Sequence, residues 1–185
     1  MENSNNKHHP FDSFKFCPKC GSNDFNIETF KSKKCKNCQF HYFYNSATAS
    51  TVIIKNELNE ILIGKRVFNP AKGTLDLPGG FVDFGENAET AAVREIKEEI
   101  GIDLDINKLK YLFSLPNEYV YSDFKISTMD LFFEYILNKN EFVKGNDDIE
   151  DIQWIHYKNI DPSLFGLKSI SQAIKKYIEN PSNFN

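Results

Sequence analysis

The sequence has no long hydrophobic run and no strong excess of charge of either sign. None of its apolar stretches approaches the roughly 18 residues that a membrane-spanning helix needs, so no membrane protein is expected. The formal net charge of −4 argues against a chain that binds nucleic acid or membranes through a general positive field. The first ten residues, MENSNNKHHP, contain no apolar signal region, and we expect a polar tail on a cytoplasmic protein.

The sequence also contains no internal repeat and no low-complexity tract. With 41% hydrophobic and 26% charged residues, its composition is that of a globular protein with ample apolar side chains for a core. A length of 185 residues allows one ordinary domain and a small accessory unit.

Cysteine is scarce and confined to one short segment, at Cys17, Cys20, Cys35 and Cys38. The pattern is C-x2-C, fourteen residues, C-x2-C, and two such thiolate pairs supply the four soft, tetrahedral ligands that Zn²⁺ prefers. Two disulfides are the alternative, but the chain shows no secretion signal. A redox role is disfavoured because no βαβ pattern surrounds either pair. We therefore predict a flexible tail at residues 1–13, a zinc ribbon at 14–44 and a larger domain at 45–185.

The predicted ribbon contains a basic loop with aromatic neighbours, formed by Lys31, Lys33, Lys34 and Lys36 with Phe30 and Phe40. Basic and aromatic side chains together can bind single-stranded nucleic acid. The alternative is a solvated loop whose aromatic residues cover a small core, as small metal-binding domains require. The sequence leaves both interpretations open.

The larger segment contains both strand-like and helix-like patterns. Five β-branched or apolar runs predict strands at residues 48–55, 60–67, 108–115, 126–137 and 151–157. A first helix is predicted to begin after Asn87, a good N-cap, and to end at Gly101, a good C′ residue. A second helix, at residues 167–178, has apolar residues at helical spacing and is stopped by Pro181.

The end of the first predicted helix is crowded with negative charge, at Glu95, Glu98 and Glu99. Residues three and four apart share a helix face, and the helix C-terminus is itself partly negative, so these charges repel one another. An external cation, most simply a divalent metal ion, would offset them. The apolar stripe of this helix is predicted on another face, formed by Ala92, Val93, Ile96 and Ile100.

The segment GFVDFGENAETAAVREIKEEIGI resembles the Nudix box. That pattern is Gly, five residues, Glu, seven residues, Arg-Glu, an apolar residue, any residue, Glu-Glu, any residue, Gly and an apolar residue. Its specified positions are filled by Gly80, Glu86, Arg94, Glu95, Ile96, Glu98, Glu99, Gly101 and Ile102. The preceding GTLDLPGG and ILIGKR also resemble this family. The resemblance covers roughly residues 48–165 and implies an α/β fold, the Nudix α/β/α sandwich with a mixed sheet, here preceded by a small zinc ribbon.

The resemblance implies hydrolysis of a nucleoside diphosphate linked to another group. Pyrophosphate is anionic, so attack by water needs cations, and Mg²⁺ or Mn²⁺ prefers oxygen ligands. Glu98 and Glu99 would be the principal metal ligands and Glu95 a ligand or a base. The backbone carbonyl of Gly79 would also approach the metal.

Arg94 and Glu86 would, by the same resemblance, hold the catalytic loop and Glu95 in place, which makes Arg94 a further catalytic candidate. An exposed helix with ordinary ion pairs is the alternative. It would account for the acidic residues but not for the joint placement of Gly80, Glu86 and Gly101.

Other candidate site residues come from outside the box. Nudix enzymes often draw a further carboxylate from a later loop, where this chain offers Asp147, Asp148, Glu150 and Asp151. The spacing does not select among them, although Asp148 or Glu150 is preferred. The candidate substrate-binding residues are Arg66, Asn117, Tyr119 and Tyr121. The tyrosines suit stacking on a nucleobase or, equally, packing within a strand.

A zinc ribbon joined to a Nudix domain resembles the NADH pyrophosphatases, which cleave NAD(H) and some of which remove NAD caps from RNA. Their marker segment is of the S-Q-P-W-P-F-P-x-S kind, and the matching SLPNEYVYSDFKIS keeps Ser114 and Pro116 but lacks the Trp and the Pro-Phe-Pro. We predict a dinucleotide or nucleotide-sugar substrate such as NADH or ADP-ribose. A catalytically silent nucleotide sensor, whose ribbon binds nucleic acid or a protein partner, is the alternative. The resemblance also allows a homodimer, which the sequence does not show.

Overall fold

The structure, a computed structural model, describes residues 10–121, 124–137 and 149–184. Ten strands lie within these ranges: β1 (Phe25–Thr29), β2 (Ser32–Cys35), β3 (His41–Phe43), β4 (Ala47–Lys55), β5 (Glu60–Arg66), β6 (Leu75–Asp76), β7 (Gly79–Phe81), β8 (Lys110–Tyr121), β9 (Phe124–Ile136) and β10 (Ile149–His156). The two α-helices are α1 (Ala88–Ile100) and α2 (Lys168–Ile178).

The strands form a small sheet and a large one. The small sheet has the order β1-β2-β3, and the large sheet has the order β10-β5-β4-β9-β8, with β6 paired to β5 and β7 paired to β4. The β4–β9 pair is parallel and the other pairs are antiparallel. This mixed sheet with its two helices, preceded by a small three-stranded sheet, confirms the predicted fold class.

The two helices cover opposite faces of the large sheet, because successive residues of a strand point to opposite sides. On one face, Val52 and Ile54 of β4 share a buried cluster with Ile96 of α1. On the other face, Ile53 of the same strand shares a second cluster with Ile174 of α2. Strand β4 therefore lies between two apolar layers, which explains the three consecutive apolar residues near its C-terminal end, Val52, Ile53 and Ile54.

The predicted helix boundaries agree with the structure. Asn87 caps α1 by accepting a hydrogen bond from the backbone N–H of Thr90 at 2.8 Å, and Gly101 closes the helix in the left-handed conformation, with φ of 75°. The apolar stripe of α1 differs from the prediction, because Ala91 and Glu99 are buried. The prediction that all three glutamates lie on another face is therefore wrong for Glu99, which faces β7.

Two segments of the large sheet were not predicted as strands. The strand predicted to end at residue 115 continues to Tyr121, because residues 116–121 pair with β9. The short strands β6 and β7 lie in a glycine-rich segment that carries little strand propensity of its own. Their backbones are held by pairing with β5 and β4.

Aromatic residues join the small sheet to the extended end of β9. The rings of Phe14 and Phe124 lie edge to face with their centroids 5.7 Å apart. The Tyr44 hydroxyl donates a hydrogen bond to the carbonyl of Lys125 at 3.0 Å. Phe11, in the segment predicted as a tail, is buried among these rings. Across the described residues, no helix is long and apolar enough to cross a membrane.

Candidate active site

A cavity of about 270 Å³ lies at the edge of the large sheet, between strand β7 and the start of α2. Strands β4, β7, β8 and β9, the C-terminal half of α1 and the N-terminal turn of α2 all contribute to its lining. The lining includes Thr51, Arg66, Asp76, Gly79, Gly80, Phe81, Glu95, Glu99, Asn117, Tyr119, Thr128, Asp130, Leu167 and Ile170. The cavity therefore collects residues from across most of the larger segment.

The three predicted metal-ligand glutamates have different environments. Glu99 is buried, and its Oε2 accepts a hydrogen bond from the backbone N–H of Gly79 at 2.8 Å. The Glu95 side chain is 15% exposed and also lines the cavity. The Glu98 side chain is 52% exposed and is not among the lining residues. Two of the three predicted carboxylates thus face the cavity in this structure.

The double glycine of β7 lets these carboxylates approach the main chain. A Cβ atom on Gly80 would lie only 2.5 Å from the carboxyl carbon and Oε1 of Glu95. Gly79 has φ of 147°, and a Cβ atom there would lie 2.2 Å from the backbone oxygen of Ser50. Any larger residue would therefore occupy the space of Glu95 or of strand β4.

Arg94 is the cation that holds this end of the cavity together. Its guanidinium donates to both carboxylate oxygens of Glu86 at 2.9 Å, to Oε1 of Glu95 at 2.8 Å and to Oε2 of Glu98 at 3.0 Å. It also donates to the carbonyl of Phe81 at 3.0 Å. The hydrogen bonds that Arg94 donates to Glu86 raise the pKa of Arg94 and lower the pKa of Glu86.

These residues suit a divalent cation. Arg94 donates hydrogen bonds to three carboxylates and lies 3.9 Å from a fourth, that of Asp83, so the cluster keeps an excess of negative charge even before the buried Glu99 is added. Carboxylate and carbonyl oxygens are the hard ligands that Mg²⁺ and Mn²⁺ prefer. Arg94 therefore offsets part of the repulsion between these acids. The negative charge that it leaves uncompensated can bind an external cation.

The other end of the cavity contains a second set of charges. Arg66 donates to Oδ2 of Asp76 at 2.8 Å, to the hydroxyl of Tyr119 at 2.6 Å and to the carbonyl of Pro70 at 2.6 Å. Burial raises the pKa of Asp76, although the adjacent Arg66 opposes this effect. Arg66 is thus held by partners in the protein, where it shapes the cavity wall beside Tyr119.

Asp130 is a cavity residue that the sequence analysis did not identify. It is 5% exposed and accepts hydrogen bonds from Thr128, Asn117 and Ser169. A signal was present in the sequence, because Asp is rare in strand interiors, yet Thr128 and Asp130 alternate with apolar residues in STMDLFF. Asp76, buried within the predicted approach segment LDLPGG, carried a similar signal.

The remaining predicted substrate and acid residues are placed as follows. Asn117 and Tyr119 line the cavity, whereas the exposed Tyr121 is not among the lining residues. Asp147 and Asp148 lie outside the described residues. Glu150 is exposed, and Asp151 pairs with Lys65 at 2.8 Å. Neither of these last two acids is among the residues that line the cavity.

The four cysteines converge on one point of the small N-terminal unit. Their sulfur atoms all lie within 4.8 Å of one another, and the Cys17–Cys38 and Cys20–Cys35 sulfur pairs are each 3.7 Å apart. A disulfide would require about 2.05 Å, whereas Zn–S bonds of about 2.3 Å place the sulfurs of a tetrahedral site about 3.8 Å apart. The four residues therefore suit a structural zinc ion. Among the described residues, no other group of His, Cys, Asp or Glu ligand atoms is gathered this closely.

We predict that the purified chain contains about one zinc ion, as four thiolate ligands imply. Hydrogen bonds from the backbone N–H of Ser22 and the thiol of Cys38 lower the pKa of Cys20 to about 6, whereas burial and the neighbouring thiols raise the pKa of Cys38. Elemental analysis and thiol titration of the folded protein check this prediction. Four freely titratable thiols without zinc would contradict it.

Some residues of the basic and aromatic loop pack in the small core, and others are exposed on its surface. Phe40 packs against the small cysteine-containing core, and the ammonium group of Lys33 is buried against the carbonyl of Phe14. Burial accordingly lowers the pKa of Lys33. Phe30, by contrast, is 84% exposed beside the exposed Lys31. Part of the loop therefore builds the core, and part of it forms a basic and aromatic surface.

Comparison with known proteins identifies the family of the larger segment. The model of the NUDIX domain family matches residues 45–177. The chain is 33% identical to the ADP-ribose pyrophosphatase of Methanocaldococcus jannaschii over 76% of this chain and 78% of that protein. It is 28% identical to the NAD-capped RNA hydrolase NudC of Pseudomonas aeruginosa over 80% of this chain, but the match spans about half of that protein, 50%. A crystal structure of a NUDIX hydrolase from Nitrosomonas europaea has the same fold, with a TM-score of 0.66 at 21% identity over 89% of this chain and 90% of that one.

Proposed function

The chain belongs to the Nudix family of pyrophosphatases, and from this premise we propose that it hydrolyses a nucleoside diphosphate linked to another group. The proposed substrates are dinucleotides and nucleotide sugars, such as NADH or ADP-ribose. The observation that carries this proposal is the cavity itself. At one end of it, Glu95 and Glu99 lie beside the double glycine of β7, and its other end has an aromatic and polar wall. The first end suits a diphosphate with its cations, and the second suits a nucleoside.

We assign the catalytic cation to the first end. Glu98, Glu99 and the Gly79 carbonyl would hold Mg²⁺ or Mn²⁺ there, and the bound cation would neutralise the phosphates and lower the pKa of the attacking water. The donor set supports this assignment, because it consists of hard oxygen atoms with an excess of negative charge.

The side chains of the protein contribute position and proton transfer. Arg94 holds Glu95 at 2.8 Å and ties it to Glu86, so the Glu95 carboxylate has a fixed place at the cavity wall. Glu95 is the candidate general base that accepts a proton from water. The water oxygen bonds to one phosphorus, the bridging oxygen leaves with the other phosphate, and the products are two phosphate monoesters. Arg66 keeps Tyr119 oriented at the nucleoside end.

The choice of substrate rests on two further observations. The relative with the higher identity bears the name ADP-ribose pyrophosphatase, and the match spans 78% of its length. The segment at residues 114–127 lacks the Trp and the Pro-Phe-Pro of the NADH pyrophosphatase marker. Both observations favour ADP-ribose over NADH as the substrate. Neither excludes a dinucleotide substrate.

We expect the zinc-containing chain, supplied with Mg²⁺ or Mn²⁺, to hydrolyse ADP-ribose to AMP and ribose 5-phosphate. A panel of ADP-ribose, NADH, nucleoside triphosphates and NAD-capped RNA, with products separated by chromatography, tests this directly. Turnover of the triphosphates alone would contradict the proposed substrate class. Binding of ADP-ribose without any turnover would instead support a nucleotide sensor.

The sensor alternative has one structural observation in its favour. The exposed Phe30 beside Lys31 on the N-terminal unit offers a surface on which single-stranded nucleic acid or a protein partner could bind. The glutamates at the cavity favour catalysis, because a sensor has no need of metal-binding carboxylates. Dimerisation and a cytoplasmic location stay predictions.

A further inference from the structure

The cavity has a second acidic end, separated from the metal-binding glutamates by the width of two strands. Ala49 of β4 pairs with Phe81 of β7 on one side and with Asp130 of β9 on the other. Neighbouring strands lie about 4.8 Å apart, so the backbones of β7 and β9 are separated by about 10 Å. A substrate that places its diphosphate at β7 can therefore reach Asp130 with the group at its other end.

The carboxylate of Asp130 is held rigidly and retains capacity to accept a hydrogen bond. Oδ1 accepts from the Thr128 hydroxyl at 2.7 Å, while Oδ2 accepts from the Asn117 amide at 3.0 Å and from the Ser169 hydroxyl at 2.5 Å. A carboxylate offers about four acceptor positions. The contacts within the described residues occupy three of these positions, one on Oδ1 and two on Oδ2. Oδ1 can therefore accept one further hydrogen bond.

The charge at this end selects against phosphate and in favour of a hydrogen-bond donor. Asp76 and Asp130 are both buried, with 4% and 5% exposure, and both line the cavity. Proximity to Asp130 contributes to the raised pKa of Asp76, after the larger effect of burial. Arg66 pairs with Asp76, so Asp130 supplies the excess negative charge at this end. An acceptor brought against Asp130 would be repelled, whereas an N–H donor would be stabilised.

The walls beside Asp130 suit a flat ring. Between β7 and Asp130 the cavity has an aromatic wall, in which the rings of Phe81 and Tyr119 lie edge to face with their centroids 5.7 Å apart. Leu167 and Ile170 of the start of α2 contribute apolar surface to the cavity lining. Aromatic and aliphatic surfaces of this kind pack against the faces of a nucleobase, while polar groups at the edge determine which base is accepted.

We propose that Asp130 is a specificity-determining residue, whose carboxylate accepts a hydrogen bond from an exocyclic amino group of the substrate's nucleobase. The inference rests on the proposed function and narrows its substrate class to nucleoside diphosphates whose base carries such an amino group, as adenine does. Hypoxanthine has an oxo group at the same position, so its acceptor would face the acceptor of Asp130. The Asp130 carboxylate oxygen and the oxo group would then be two buried acceptors with no hydrogen atom to share, which disfavours binding of hypoxanthine.

The test compares ADP-ribose with inosine diphosphate ribose, which differ in the amino or oxo group and in the accompanying protonation of the ring. For the natural chain we expect kcat/KM to be about tenfold or more higher for ADP-ribose, the value expected from one hydrogen bond to a charged group. An Asp130→Asn chain should treat the two substrates within about threefold of each other, since its amide can donate to the oxo group as well as accept. Equal use of both substrates by the natural chain would overturn the inference.

The matched control is Glu134→Gln. Glu134 is also a buried carboxylate of β9, but it contacts Lys55, Lys110 and Tyr177, away from the cavity. This variant should keep the preference for ADP-ribose. Loss of the preference in both variants would show that it reflects the stability of β9 and would overturn the role of Asp130.

Binding of AMP and IMP, measured by calorimetry, separates the inference from the proposed function because it requires no turnover. Tighter binding of AMP to the natural chain, with the difference lost in Asp130→Asn, supports the inference even if no diphosphate is hydrolysed. Equal affinities for AMP and IMP together with normal hydrolysis of ADP-ribose would overturn the inference alone. Absence of hydrolysis for every diphosphate would overturn the proposed function alone.

Discussion

Replacing Glu99 with glutamine is expected to lower kcat by about a hundredfold or more, the scale of effect of a catalytic carboxylate or metal ligand. Glu99 is buried at the cavity and accepts a hydrogen bond from the backbone N–H of Gly79. The amide oxygen of glutamine can accept the same bond, so the β7 backbone should stay in place. What the variant loses is the negative charge that a divalent cation requires. Steady-state kinetics with ADP-ribose over a range of Mg²⁺ concentrations measures the change.

The control for this variant is Glu89→Gln, which makes the same chemical change on an exposed position in the first turn of the same helix. It should leave kcat unchanged. Thermal unfolding of both variants shows whether the fold is retained. A Glu99→Gln chain that is folded and has nearly the activity of the natural protein would contradict the metal-binding role of Glu99.

Replacing Gly79 with alanine is expected to lower the free energy of unfolding by about 3 kcal/mol or more, because a backbone clash and an unfavourable conformation act together. Gly79 has φ of 147°, and an added Cβ atom would lie 2.2 Å from the oxygen and 2.7 Å from the Cα atom of β4 residues Ser50 and Thr51. Both contacts are with backbone, which cannot turn aside as a side chain can. Chemical denaturation measures the change in stability.

Gly85→Ala is the matched control for backbone conformation. Gly85 also has a positive φ, of 84°, but no atom lies within 4 Å of its added Cβ position. It should therefore cost about 1 kcal/mol, the conformational penalty alone. Similar stability losses in the two variants would show that contact with β4 is not what requires glycine at position 79.

The sequence predicted best those features that are encoded locally. The boundaries of α1 follow from Asn87 and Gly101, and both caps are present in the structure. The convergence of four thiols follows from the spacing of two cysteine pairs. The mixed sheet followed from a resemblance and not from local pattern, because nothing in the strands themselves specifies that β4 and β9 pair in parallel.

Features that depend on contacts distant in sequence were missed. The burial of Glu99 could not be read from the helix alone, because it results from the approach of β7 and the N–H of Gly79. Asp130 gains its surroundings from Asn117 on β8 and Ser169 on α2. The crowding of acids on α1 and the position of an Asp within a strand-like run marked these residues as unusual, but only the assembled sheet shows that they share one cavity.

The parallel pairing of β4 with β9 has a consequence for how this protein acquires its cavity. Ala49 and Asp130, which are neighbours across that pair, are widely separated along the chain. Contacts of such long range form slowly, because the intervening loop must lose its conformational freedom before the pairing stabilises it. The helix that bears the glutamates can form early from local interactions, yet recognition of a ligand must await closure of this strand pair. During synthesis, therefore, competence to bind would emerge only after β9 has been made and has reached β4.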